Sequence, residues 1–214
     1  MKQLIKSLIL TLGLLMLYNS SKAQITGSDT IKEKSTLSFE IDPIVPFVLK
    51  GIGGHFIWKP KKSKHLVFGL AIIVSGTMPN ALINLNDNNK DKGWHYKINQ
   101  GMGIEGEYYY KSANRKWFSG IQLFTQEINL TNDNVAGVAE HRTNIGMAVV
   151  TTGYKWYPAK KINLYIKPWA GIGYTGIIRG AFSPEVIPNT RVGSFEYHIQ
   201  KFTPFATAHV GYTF

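Results

Sequence analysis

Phe205-Ala206-Thr207-Ala208-His209-Val210-Gly211-Tyr212-Thr213-Phe214 is the stretch whose reading decides the fold. Ala206, Ala208, Val210, Tyr212 and Phe214 fall on one face of a two-residue repeat. Phe205, Thr207, His209, Gly211 and Thr213 fall on the other. A terminal strand that ends on an aromatic residue, with one apolar face, suits the closing strand of a barrel whose outside meets lipid.

The other end of the chain agrees. Lys2 and Lys6 precede an apolar run over residues 8–17, and Ser21-Lys22-Ala23 sets small residues before Gln24. This is the pattern of a cleaved secretory signal peptide over residues 1–23. A polar tail over 24–34 then leads to one domain over 35–214. The 214 residues contain no Cys, which excludes lipid attachment to an N-terminal cysteine, disulfides and thiolate metal sites. No cofactor or metal is expected. No later segment approaches the ~18 apolar residues of a membrane helix. A mean hydropathy of −0.09 is what strands alternating between lipid and a polar lumen produce.

The net charge of +11 loses three lysines, Lys2, Lys6 and Lys22, with the signal peptide. The remaining basic residues concentrate in short turns, which points to anionic lipid headgroups as partners. Export makes nucleic acid an unsuitable one.

Strands are expected over 36–47, 51–59, 65–75, 99–110, 117–128, 142–157, 163–175 and 200–214. The fourth alternates best: Met102, Ile104, Gly106, Tyr108 and Tyr110 oppose Gly101, Gly103, Glu105, Glu107 and Tyr109. The first contains Pro43 and Pro46, so a bend or bulge is expected there. The fifth and sixth do not alternate throughout, and no register follows for them. Connections alternate between short (60–64, 111–116, 158–162) and long (76–98, 129–141, 176–199), with 48–50 as a short exception. The expected fold is all-β: an eight-stranded antiparallel up-and-down transmembrane β-barrel with short periplasmic turns and longer extracellular loops.

Three short turns repeat one design. Phe56-Ile57-Trp58-Lys59-Pro60-Lys61-Lys62, Tyr109-Tyr110-Lys111-Ser112-Ala113-Asn114-Arg115-Lys116-Trp117 and Trp156-Tyr157-Pro158-Ala159-Lys160-Lys161 each bring aromatics into a basic turn. Trp58, Tyr110, Trp117, Trp156, Tyr212 and Phe214 are the expected periplasmic girdle, with Lys and Arg reaching lipid phosphates beyond them.

On these residues, together with Phe39-Glu40-Ile41-Asp42-Pro43, Asn88-Asn89-Lys90-Asp91-Lys92-Gly93-Trp94, Leu164-Tyr165-Ile166-Lys167-Pro168-Trp169-Ala170-Gly171-Ile172-Gly173-Tyr174 and Gly211-Tyr212-Thr213-Phe214, the chain resembles the small eight-stranded outer-membrane barrels of the OmpA transmembrane domain and OmpX class. More closely, it looks like outer-membrane barrels of Bacteroidota. The resemblance implies the outer membrane of a Gram-negative bacterium and reading of Phe214 by the barrel-assembly machinery. It carries over no chemistry.

If Met102, Ile104 and Tyr108 face lipid, Glu105 and Glu107 face the lumen. The same parity turns Glu40, Asp42, Lys167 and His209 inward, and Lys155 joins them. A barrel of eight strands has room only for side chains, so these charges must pair or be hydrated. A plug of ion pairs in a polar lumen is the expected arrangement; a gated ion path or a proton-linked switch is its rival.

Other patterns are weaker. Asp87-Asn88-Asn89-Lys90-Asp91-Lys92-Gly93 spaces oxygen ligands as calcium loops do. It has Lys92 where an EF-hand needs Gly, and Ile98 where it needs Glu, so it reads as a solvated loop. A lipid A-modifying enzyme needs a nucleophile and base at the rim, where His95, His141 and His198 stand with Ser183, Ser194, Glu140, Glu185 and Glu196. No spacing pairs them, and no catalytic residue is nominated. Pro79-Asn80-Ala81-Leu82-Ile83-Asn84-Leu85 reads as a short helix over the barrel mouth. Phe182, Val186, Ile187, Phe195 and Tyr197 would bind a partner, pack against lipopolysaccharide or fold over their own rim. The expectation is a non-enzymatic barrel with a structural or surface-interaction role, against a narrow channel or carrier for small solutes.

Overall fold

The structure, a computed structural model, describes residues 35–137, 140–158, 163–179, 185–187 and 189–214; the expected signal peptide and polar tail lie outside them, as do Phe182 and Ser183. Its elements are β1 (Thr36–Ile41), α1 (Ile44–Val48), β2 (Ile52–Lys59), β3 (Leu66–Met78), α2 (Asn80–Ile83), β4 (Trp94–Tyr109), β5 (Lys116–Asn132), β6 (His141–Lys155), β7 (Leu164–Arg179), β8 (Glu185–Ile187), β9 (Asn189–Val192), β10 (Phe195–His198) and β11 (Phe202–Thr213). β1 to β7 each pair antiparallel with the next strand, and β11 pairs with both β7 and β1. The sheet is therefore a closed, eight-stranded, up-and-down antiparallel barrel without a long free edge, the arrangement that satisfies all strand ladders internally. β8 pairs antiparallel with the last residues of β7, and β9 with β10 forms a separate hairpin inside the last connection.

The terminal stretch closes the barrel as its alternation requires. Phe39 pairs with Tyr212 and Ile41 with Val210 on one side; Val210 pairs with Ile166 and His209 with Lys167 on the other.

The first strand is shorter than expected. It stops at Ile41, and Asp42 stands at its end rather than within it. The Asp42 carboxylate accepts from the Ile44 N–H at 2.8 Å, and the Val45 N–H donates to the Asp42 carbonyl, which starts α1. Pro43 sits at the helix N-cap with φ −66°. Two prolines remove ladder donors and fix φ at values suited to a first helical turn, so a bulge gives way to a helix. This also corrects the exceptional short connection at 48–50: the segment between β1 and β2 spans residues 42–51. The connections 60–65, 110–115 and 156–163 thus gather at one end with Ser35 and Phe214, the turn end, and 42–51, 79–93, 133–140 and the segment between β7 and β11 gather at the other, the loop end; 133–140 is no longer than 156–163, because β5 runs on to Asn132.

On the turn half, outward side chains are large and apolar. Leu37, Phe39, Phe56, Leu66, Phe68, Leu70, Ile72, Met102, Ile104, Ile121, Leu123, Val150, Ile172 and Tyr174 are all exposed there. Trp58, Tyr110, Trp117, Trp156, Tyr212 and Phe214 are exposed at its lower margin. Met102 to Tyr110 covers roughly 27 Å of strand, or about 20 Å of height at the tilt of such barrels, close to an apolar band of ~25 Å.

On the loop half the faces exchange chemistry. Trp94, Tyr96 and Ile98 are buried inside, whereas Met102, Ile104 and Tyr108 are exposed outside, although all are even-numbered. An extra residue must intervene. The β4–β5 register shifts between Ile98 and Gln100, leaving Asn99 as the unpaired residue of a β-bulge. The β2–β3 register shifts at Ile52/Gly53. β5 needs no bulge: Phe118, Gln126, Ile128 and Leu130 stay inside while outward Ile121 and Leu123 give way to Thr125, Glu127, Asn129 and Thr131.

Candidate functional site

The lumen is the best-defined site, and it has two layers. The lower one is polar. Glu40 on β1 stands at its centre: its Oε2 lies 2.5 Å from Lys167 Nζ and 2.9 Å from His209 Nδ1, and its Oε1 accepts from the Tyr165 hydroxyl at 2.7 Å. Lys167 also donates to Glu107 Oε1 at 2.8 Å, and the Tyr109 hydroxyl donates to Glu107 Oε2 at 2.7 Å. Glu105 bonds to His55 Nδ1 at 3.0 Å and accepts from Gln122 Nε2 at 3.0 Å. His209 Nε2 accepts from the Trp169 indole N–H at 3.0 Å, and the His209 ring lies 4.4 Å from that of His55. Three carboxylates, one ammonium and two imidazoles therefore form one connected set, nearly all of it out of solvent.

Lys155 closes the layer from below. Its ammonium donates to Asn114 Oδ1 at 3.0 Å, sits 3.6 Å over the Tyr165 ring and lies 3.8 Å from Glu40. Asn114 belongs to the turn between β4 and β5, which folds across the barrel mouth: Ala113 N–H donates to the Lys64 carbonyl, and Asn114 Nδ2 donates to Thr36 Oγ1. Asn114 has φ 65°, a left-handed conformation that Asn tolerates better than most residues. Asp42 reaches the set from its upper rim, accepting from Thr207 Oγ1 at 2.8 Å with His209 Nε2 at 3.8 Å. All seven charged residues expected in the lumen thus come together, Asp42 at the edge.

The upper layer departs from expectation, and it corrects the polar lumen to a half-polar one. Ile98, Ile128, Leu130, Ile145 and Ile177 fill the barrel interior. Ile83 of α2 and Val192, Tyr197 and Ile199 of the last connection pack on them from above. The short helix read over the mouth is real, and Tyr197 folds over its own rim; burial pushes its phenol pKa up. The physical reason is the exchange of faces: where outward residues are polar, the barrel wall behaves as an ordinary β-sheet with an apolar core.

The rim histidines stand apart. His95 Nε2 lies 2.8 Å from Asp133 Oδ1, both exposed, and His141 Nε2 lies 2.8 Å from Thr190 Oγ1. Glu140 accepts from Asn129 and Glu196 from Asn189. Among the described residues no serine joins these pairs. In the loop over 87–93, Asn89 is turned to the His198 carbonyl and Asp91 to Asn84, and no group of three or more His, Asp or Glu side chains suited to a metal occurs among the described residues.

Sequence reasoning missed Tyr109, Tyr165, Trp169 and Gln122 as partners. The first three were legible, because they share the inward parity of Glu107 and Lys167. Asn114 carried no signal, since a turn has no period.

No family model matches the chain, and no curated protein sequence matches it. Among solved structures it is similar to the N-terminal β-barrel domain of Pseudomonas aeruginosa OprF, with 14% identity, a TM-score of 0.44, and 84% of this chain and 97% of that chain covered. It is similar to Neisserial surface protein A, with 10% identity, a TM-score of 0.43, and 84% and 94% covered. It is also similar to a major outer membrane protein from Thermus thermophilus, with 13% identity, a TM-score of 0.43, and 85% and 100% covered.

Proposed function

We propose that the chain is an integral outer-membrane barrel without enzymatic activity, sealed to solutes, which presents its loop end to the outside as a structural or surface-interacting element. One observation carries the reading: two side-chain layers of opposite chemistry fill the lumen under an apolar outer belt. A water-filled pore needs a continuous polar path, and Ile98, Ile128, Leu130, Ile145 and Ile177 interrupt it. The belt with its aromatic margin supports placement in a bilayer, and the signal-peptide pattern supports export.

Conductance of purified protein in planar bilayers tests the sealed lumen. Silent bilayers after confirmed insertion are expected; reproducible single-channel steps would instead favour a narrow channel. Lipid A profiles from cells with and without the protein test the absence of lipid chemistry, and identical mass spectra are expected. Recovery in the outer-membrane fraction tests location. Phe214→Asp should lower that recovery if the terminal aromatic guides assembly, and normal levels of the variant would remove that role.

A further inference from the structure

The loop end contains a joint that the sealed barrel does not require. Residues 86–89 and 198–202, remote in sequence, are locked side by side. Asn86 Nδ2 and Asn89 Nδ2 both donate to the His198 carbonyl, at 3.0 and 2.7 Å, and the His198 N–H donates back to Asn89 Oδ1 at 2.9 Å. Asn89 is buried, so a side-chain amide here replaces a strand partner and fixes two loops in one relative position. Beside this joint lies a cleft of about 450 Å3, within the ~300–1,000 Å3 range of small-ligand sites.

The lining of the cleft is chemically narrow. Asn88, Asn189, Gln200 and His198 supply amides and an imidazole, and Lys201 supplies the only cation; no carboxylate lines it among the described residues. The side chains of Asn88, His198 and Lys201 have no partner among the described residues. Gln200 donates its N–H to the Phe202 carbonyl and Asn189 donates to Glu196, so each keeps its amide oxygen as an acceptor. Phe202, at the edge, exposes 62% of its surface. Amides that offer donors and acceptors together match vicinal hydroxyls. An exposed ring covers the C–H face of a sugar, and an ammonium that meets no carboxylate among the described lining residues suits a carboxylate or phosphate, Glu196 lying behind Asn189 rather than in the lining.

We propose that this cleft binds an acidic oligosaccharide, with its anionic group on Lys201, its hydroxyls on Asn88, Asn189 and Gln200, and a sugar face on Phe202. Such binding rests on the surface-interaction reading and deepens it, but purified protein tests it whichever way the loops face in a cell, so the two fail separately. Phe202 pairs with Tyr174 at the upper margin of the apolar belt, which sets the cleft just above it. The sugar can therefore belong to a free glycan or to the headgroup of a glycolipid in the same membrane.

Full-length protein in detergent micelles, its folding confirmed by heat-modifiable gel mobility, is titrated calorimetrically with three probes. These are 3′-sialyllactose, neutral lactose, and the deacylated core oligosaccharide of lipopolysaccharide. At least one acidic probe is expected to bind, with lactose at least about fivefold weaker. Binding of sialyllactose alone identifies a free glycan, and binding of the core oligosaccharide alone identifies a glycolipid headgroup. Lys201→Gln should weaken the acidic probe roughly tenfold, and Asn88→Ala about threefold to fivefold. Failure of both acidic probes to bind, lactose binding as well as sialyllactose, or wild-type affinity in both folded variants would overturn the proposal.

Discussion

The turn half and the loop half of this barrel use the same strands and opposite rules. Below, apolar side chains point out and charges point in; above, β4 and β5 turn polar side chains out and isoleucines point in, while Ile52 and Phe202 keep apolar surface outside on neighbouring strands. The difference teaches that inward and outward are set by what each stretch of wall touches, not by the strand as a whole. β4 makes the exchange with one inserted residue, Asn99, and β5 makes it by changing which parity is apolar. Each half is then stable for its own reason. The lower interior is held by mutual compensation of charge and the upper one by removal of apolar surface from water.

Deletion of Asn99 should break the comparison outright. Without the extra residue, either Trp94, Tyr96 and Ile98 turn outward, or Met102, Ile104 and Tyr108 turn into the charged layer. The expected result is loss of the heat-modifiable folded species, whereas deletion within the exposed turn residues 61–62 should retain it.

Lys167→Met comes next. It leaves Glu40 and Glu107 without their shared cation in a buried site, which costs about 3–5 kcal/mol in unfolding titrations. Adding Glu40→Gln to it should recover part of the loss, because a neutral amide needs no counter-charge. A double variant as unstable as the single one would show that packing, not charge, governs the layer. In the other half, Ile128→Ala should cost about 2–5 kcal/mol through a cavity, and no polar second substitution should rescue it.

A smaller effect separates the outer faces. Ile104→Arg places a charge on the apolar belt and should cost about 2–4 kcal/mol in lipid, while Thr131→Arg on the polar half should stay within about 0.5 kcal/mol. Equal costs would mean that lipid contacts both halves. Smallest of all, Trp94→Phe should change stability by no more than about 1 kcal/mol. Its buried indole N–H has no partner among the described residues, so the lost ring area is offset by removal of an unmet donor.

Much of this is legible in the sequence. Eight strands are legible from alternation and turn chemistry together, the fifth and sixth without a register, and the inward set of Glu40, Glu105, Glu107, Lys167 and His209 follows from parity alone. What escapes has a common cause. The lower ends of β5 and β6 alternate for lipid and their upper ends for water, so neither reads as one clean strand. Alternation starts β4 only at 99 because its upper part belongs to the opposite parity, and the bulge at Asn99 hides the continuity. It extends β1 to 47 because apolar Ile44, Val45, Phe47 and Val48 look like strand residues until Pro43 and Asp42 are weighed as helix-starting residues. Contacts such as Lys167 with Glu40 join strands far apart in the chain; parity says that both point inward, and only closure of the barrel says that they meet.

The chain has no Cys, so single cysteines can read the boundary between the halves directly. Ile121→Cys, Leu123→Cys, Glu127→Cys, Asn129→Cys and Thr131→Cys place a thiol at successive outward heights on β5, and each variant is treated in lipid nanodiscs with a membrane-impermeant thiol reagent. Protection is expected at 121 and 123, and rapid labelling at 127, 129 and 131. Uniform labelling, or protection along the whole strand, would contradict a barrel whose wall changes its surroundings at the level of Asn99.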